Sequence, residues 1–492
     1  MTACPRDPLS TFFWWLLRLG LLGLGWVLVL GQWSDPVRMG LDLFRGAGSL
    51  AGSLPFFVAM PICAWLLVRR PEWLKRAAAA LPQLSPRSLF VLALGLRLVW
   101  ILVADLELRS DYAHYWRLTR DFAEDPATLT DRPGMWPPRG TQVFLGSFVA
   151  LFGPHVFVAQ AALAVVGALH VPAVIRLTRN LGGSARACAL AGLAMALWPD
   201  HVLYANLVAG DLLFSGLVLG GAALLTSPGG LGLSFAAGLL LGLAQWVRST
   251  SPLFWIAGAL YLWRTPNLER RAPRGLAFTA GLLLGLTPVV SLNLYSLDRL
   301  SIVPAYMGGW SLLVGTDLPS HGTEVDGLFP VRDARLALEP ERPGEPLAVR
   351  QDRVARTMGV ERLKANPVAF AGDVLHRKVA IVWGVPAWLG PAYAGSRLEP
   401  IGIYAWYVLG GLHRLVVLIV AWVLIRRARR PRWDALSIYV VVGCLTAIAH
   451  ALLEAQSRYT LMLRPLYAIC VGLWLTNLAA DLRVREDPAQ AA

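Results

Sequence analysis

Apolar runs alternate with short polar stretches along the whole chain, at about 12–30, 50–68, 88–105, 157–176, 186–203, 208–226, 231–247, 251–263, 276–296, 403–425, 434–453 and 460–479. About twenty apolar residues suffice to cross a ~30 Å hydrocarbon layer, and shorter runs serve when neighbours bury them. The pattern therefore predicts about twelve membrane crossings, all helical, with no alternating stretch that would call for a sheet. Two further apolar stretches, 141–153 and 379–390, cannot both cross without inverting the loops around them, so they are predicted to lie at the interface or to be re-entrant.

Composition agrees with a polytopic membrane protein: 56% of the 492 residues are hydrophobic and only 15% are charged, against roughly 25% charged in soluble domains. The net charge of +14 resides in clusters between apolar runs, such as "RRPEWLKR" at 69–76 and "RRARRPR" at 426–432. Loops of this kind face the cytoplasm, which argues against a nucleic-acid partner. Placing the four basic loops inside puts both termini inside, and segments 106–156, 297–402 and 454–459 on the outer side. The first apolar run lacks a small-x-small cleavage site, so it is read as a retained span. Five dispersed cysteines suggest neither a disulfide framework nor a zinc site. Tryptophans near predicted span ends, including Trp136, Trp198, Trp246, Trp263 and Trp433, read as interfacial anchors.

The chain divides into an N-terminal hairpin with its basic loop (1–87), a transmembrane core carrying the first outer loop (88–296), a large outer loop with interfacial helices (297–402), and C-terminal spans with a tail (403–492). In the large loop, Asn366 before Pro367 reads as a helix start. The first outer loop holds "ELRSDYAHYWRLTRDFAEDP" at 107–126. In it Ser110 or Asp111 could simply cap a helix, or Asp111 could be a reactive carboxylate at the membrane edge.

Several of these stretches, in order, resemble the GT-C glycosyltransferases, in particular bacterial relatives of the protein O-mannosyltransferases and the lipid A aminoarabinose transferase. "RSDYAHYWRLTRDF" resembles the first outer loop of that family, matching its Asp at Asp111 and its Tyr at Tyr115, with Tyr112 where the family often has Glu. "PGMWPPRGTQVFLGSFVALFG" resembles its proline-rich juxtamembrane helix. "LWPDHVLYANLVAGDLLFSG" resembles the segment that opens a span with an acid, here Asp211. "WVRSTSPLF" places Arg248 between two spans, "KANPVAFAGDVLHRKVAIVW" maps a lysine onto Lys378, and "QSRYTLMLRPLY" maps an arginine–tyrosine turn onto Arg458 and Tyr459. The resemblance covers residues 88–480 and leaves the first hairpin without a reading.

The resemblance implies an all-α, multi-pass enzyme of the cytoplasmic membrane. It would move a hexosyl or pentosyl unit from a polyprenyl-phosphate donor to a cell-envelope acceptor outside the cytoplasm. Such a reaction needs a base for the acceptor hydroxyl and cations for the departing phosphate. Asp111 is the expected base and Asp211 a second acid. Arg248, Lys378 and Arg458 are the expected phosphate ligands, with His114, Tyr115 and Tyr459 completing the substrate side. Lys378 and Arg458 could equally be snorkelling cations. No cofactor is specified; a divalent metal remains an open option, though no metal ligands are indicated. Two alternatives stand beside this reading: an O-antigen polymerase or ligase, which would depend on arginines and not on Asp111, and a lipid or solute transporter, for which no inverted repeat is visible.

Overall fold

The structure is a computed structural model describing residues 8–45, 80, 84–104, 106–131, 133–265, 270–323, 327–384 and 399–486, with side chains described at 8–32 and 412–476 within the first and last of these. Among the described residues it is all helical, with no strand. The helices are α1 (Pro8–Arg45), α2 (Pro86–Ala104), α3 (Ser110–Glu124), α4 (Arg139–Phe152), α5 (Val156–Asn180), α6 (Ala185–Ala196) and α7 (Pro199–Leu203). They continue with α8 (Asp211–Leu225), α9 (Leu231–Val247), α10 (Pro252–Arg264), α11 (Arg271–Leu297), α12 (Gly308–Gly315), α13 (Leu328–Leu338) and α14 (Leu347–Ala365). The last are α15 (Pro367–Asp373), α16 (Val379–Trp383), α17 (Glu399–Arg427), α18 (Ala435–Leu452) and α19 (Arg464–Glu486).

Helices occupy every expected apolar run that falls within the described residues. Six of them are long and apolar enough to cross a membrane, or seven if the broken pair α6–α7 counts as one span. That is fewer than the twelve expected. The runs at 208–226, 231–247 and 251–263 form shorter helices, α17 is described only in part, and 50–68 and 385–390 lie outside the described residues. Several tryptophans expected as anchors are instead packed in protein: Trp198 and Trp433 are buried, and Trp136 stacks on His114. Trp263 does stay exposed.

Local sequence sets the helix ends. Ser184 and Asp434 accept backbone N–H bonds at the starts of α6 and α18, and prolines open α7, α10 and α15. Asn366 does stand at the N-cap of α15, though its side chain makes no cap bond. The 50° break between α6 and α7 leaves carbonyls without helical partners. Arg97, fully buried in α2, donates from Nη1 to Ala93 O (2.9 Å) and Ala196 O (3.2 Å) and so satisfies the end of α6. A second buried cation, Arg464, binds Asp200 in α7 at 2.8 Å, tying the last span to the same break.

Close helix approach is set by small residues. Cβ atoms built on Gly238 of α9 and Gly281 of α11 would fall 2.0 Å from the opposing carbonyls Phe278 O and Phe235 O, so these two helices meet backbone to backbone. Elsewhere α3 packs on α4, and α12 and α14 enclose a small core of Trp310, Leu313, Val314 and Ala355. Gly281→Val should therefore abolish the monodisperse folded fraction in size-exclusion chromatography, since overpacking costs about 1–3 kcal/mol or more. Gly95→Ala, where an added Cβ meets nothing within 4 Å, should leave the elution profile unchanged.

Candidate active site

Asp111 lies in the first turn of α3, but it does not cap that helix. The N-cap position is Arg109, whose side chain pairs with Glu107 instead. The Asp111 carboxylate accepts from Arg458 Nη2 at 2.9 Å, across 347 positions of sequence. Asp211, in the first turn of α8, accepts from Arg248 Nη2 at 2.6 Å. Arg248 in turn is the C-cap residue of α9. The two pairs share one neighbour: the guanidinium carbons of Arg248 and Arg458 lie 5.6 and 5.7 Å from the Tyr459 ring centre. Asp211, Arg248, Arg458 and Tyr459 line one small recess with Phe214, Thr250, Leu461 and Met462.

The two acids differ in access. Asp111 keeps 33% of its side-chain surface exposed and Asp211 only 3%, so only Asp111 can meet a molecule arriving from outside without rearrangement. Breaking the Asp211–Arg248 pair would strand a buried charge, a change that typically costs about 3–5 kcal/mol.

Tyr115 is buried one turn further along α3 from Asp111, edge-on to Trp136 at 5.6 Å, and His114 stacks on the same indole at 5.3 Å while meeting Arg117. Burial pushes the Tyr115 phenol up to about 12, with Arg248 pulling it down and Asp211 pushing it up. Tyr112 is likewise raised by burial, with Arg458 opposing and Asp211 and Asp111 adding. Both tyrosines therefore lie within the field of the two ion pairs and stay protonated at neutral pH.

The loop between α18 and α19 carries Arg458 and Tyr459, and it is pinned at several points. Glu454 N–H donates to Ser311 O (2.8 Å) and Ala455 N–H to Gly322 O (2.9 Å). His450 Nδ1 meets Glu454 O at 2.8 Å, and the His450 ring stacks on Tyr459 at 4.7 Å. Lys378 completes the clamp from a π-helical turn at Val374–Lys378, donating to Gly315 O (2.9 Å), Ala451 O (3.0 Å) and Leu453 O (2.8 Å). An ammonium has three donors, and all are taken by backbone carbonyls of a side chain only 1% exposed. Where a phosphate ligand was expected, the Lys378 donors meet backbone carbonyls. Its charge closes the C-terminal ends of α12 and α18.

Of the expected site residues, Asp111, Asp211, Arg248, Arg458 and Tyr459 come together, with Tyr115 behind them and His114 at the edge. Glu454 was missed as a member. It is buried, hydrogen-bonded to Tyr459 and Gln456, and within the field of Arg458 and Asp111. Its sequence signal was a lone acid four residues before the arginine. Among the described residues no group of three or more His, Cys, Asp or Glu could hold a metal ion.

No protein-family model matches the chain, and no curated protein sequence does. Among solved structures, the chain overlays on the archaeal oligosaccharyltransferase AglB from Archaeoglobus fulgidus in complex with an inhibitory peptide and a dolichol-phosphate (TM-score 0.48, 14% identity, covering 83% of this chain and 52% of that one). It also overlays on ArnT from Cupriavidus metallidurans bound to undecaprenyl phosphate (TM-score 0.37, 17% identity, 78% and 77% covered) and on the same protein in the apo state (TM-score 0.34, 18% identity). Both neighbours are GT-C superfamily membrane glycosyltransferases. The chain spans about half the length of the oligosaccharyltransferase.

Burial raises the Glu454 carboxyl above its ordinary 4.5, against Arg458, and Asp111 adds to the rise. The folded state therefore holds this proton to higher pH than the unfolded chain, and stability falls as pH climbs through the window above 4.5. Glu454→Gln should flatten that decline, giving a melting temperature at pH 7 equal to or above wild type. An equal loss of stability at pH 4 and pH 7 would contradict it.

Proposed function

We propose that this chain is an integral membrane glycosyltransferase that moves a sugar from a polyprenyl-phosphate carrier to a hydroxyl-bearing acceptor of the cell envelope, on the outer side. The observation that carries the reading is the convergence of two arginine–carboxylate pairs on one tyrosine. One of the two carboxylates is open to the outside and both cations are nearly enclosed.

Asp111 acts as the base. The acceptor oxygen attacks the anomeric carbon, the bond from that carbon to the phosphate oxygen breaks, and the electron pair leaves with the phosphate. The acceptor proton passes to the Asp111 carboxylate. Arg458 and Arg248 receive the growing phosphate charge, each offering a planar fork of donors, and charge placed in advance in this way usually lowers the barrier more than any other single effect. Asp211 holds the Arg248 fork in position. Trp136 with His114 and Tyr115 forms an aromatic wall on the acceptor side of Asp111. Beyond the recess, Leu213, Gly216, Leu217 and Gly220 of α8 line a second, apolar groove with Phe144, Phe148 and Phe157. That groove suits an isoprenoid chain and supports a lipid-borne donor.

Phosphate and Asp111 would compete for the same Arg458 donors. A donor phosphate that takes Arg458 releases the carboxylate from its ion pair, so the base is set free only when the donor is seated. A labelled polyprenyl-phosphate sugar transfer assay tests both parts. Asp111→Asn should lower turnover by about 10²-fold or more while binding the donor as tightly as wild type or more tightly. An Asn variant with near-normal turnover would remove Asp111 from the base role and favour an arginine-dependent polymerase or ligase. Arg458→Gln should weaken donor binding and turnover together.

A further inference from the structure

A second apolar groove lies far from this site, between α10 and α11, at the end of these helices that the charge pattern assigns to the cytoplasm. Its walls are Ile256 and Trp263 of α10 and Gly275, Phe278 and Leu282 of α11, with Arg271 at its mouth. Glycines on the opposite face bind α11 to α9, which leaves the α10 side of α11 uncovered. Trp263 is 48% exposed and Ile256 49%, whereas Phe278 forms a buried floor. A Cβ built on Gly275 meets nothing within 4 Å, so the groove stays open at its centre.

The groove has the length of one bilayer leaflet. From Arg271 to Leu282 the helix rises about 16 Å, half of the ~30 Å hydrocarbon thickness. Its mouth is cationic. Arg270 and Arg271 are exposed at the N-terminus of α11, and Arg264 closes α10 beside them with its guanidinium over Trp263 and Phe13. Arg271 folds across the top, donating to Thr265 O at 2.8 Å. No carboxylate lines the groove among the described residues. The positive end of the α11 dipole adds to these charges. An apolar trough one leaflet deep under a cationic rim matches an acyl chain under an anionic headgroup.

We infer that the α10–α11 groove is a binding site for an anionic phospholipid of the cytoplasmic leaflet, with its headgroup at Arg264, Arg270 and Arg271 and an acyl chain against Trp263, Gly275 and Phe278. The site is independent of the transferase reading.

Native mass spectrometry of the full chain in detergent, titrated with phosphatidylglycerol or phosphatidylcholine, tests it. Wild type should retain phosphatidylglycerol at least about fivefold better, as each basic residue near the headgroup contributes. Arg270→Gln with Arg271→Gln should erase that preference. Gly275→Leu should fill the trough and remove bound lipid of both kinds while leaving the melting temperature in lipid-free detergent unchanged, since leucine is a better helix former than glycine. Equal retention of the two lipids by wild type, or unchanged retention by Gly275→Leu, would overturn the inference. So would a Gly275→Leu variant that melts earlier and shows no lipid effect, because another segment of this chain would then occupy the groove.

Discussion

Two guanidinium groups flank one phenol ring, and each is bound by a carboxylate carried on a different helix. This end of the bundle depends on this arrangement. Tyr459 by itself would be an interfacial aromatic, and Arg248 or Arg458 by itself a snorkelling cation. Together they bind α3, α8, the end of α9 and the loop before α19 into one electrostatic unit. The two arginines and two aspartates balance in charge, and burial favours the protonated form of the neighbouring Glu454, which lets the unit persist in a small recess. A phosphate entering it would tip the balance and force one carboxylate to move.

Below that unit the bundle is organised around breaks and close approaches. The α6–α7 break is tolerated because Arg97 satisfies the free carbonyl of Ala196 and Arg464 binds Asp200 beside it. The approach of α9 to α11 is tolerated because glycines face glycines. Both devices let helices too short or too bent to cross alone contribute to a continuous buried core, and both help fix where the first turn of α8, and hence Asp211, sits.

The helices and the membership of the outer cluster were largely legible in the sequence, because apolar run length and basic-loop parity are long-range patterns that survive without coordinates. Asp111 stood out as a polar residue at an apolar border, and Asp211, Arg248, Arg458 and Tyr459 were named through motifs that resemble the GT-C glycosyltransferases. Which partner each would take was not legible, since nothing in "SDYAHYW" points to an arginine near the other end of the chain. The partners of Lys378 were hidden for a related reason. A sequence displays a lysine's charge but not the three carbonyls that converge on it, and a helix C-terminus is as good a destination for an ammonium as a phosphate. Among the described residues six or seven helices pass a length test where twelve crossings were expected, because 13- to 17-residue helices such as α8, α9 and α10 serve as spans only where neighbours bury them.

Asp111 and Arg458 stand 347 positions apart, and at about 5–20 residues per second a ribosome needs roughly half a minute to get from one to the other. During that interval Asp111 has been made while its cation has not, and Asp211 waits on the nearer Arg248. The reactive corner of the protein therefore closes last, when the final span goes in. A chain cut short before "QSRYTLMLRPLY" would leave Asp111 without its arginine partner and Tyr459 unmade, so the cluster cannot assemble in incomplete copies.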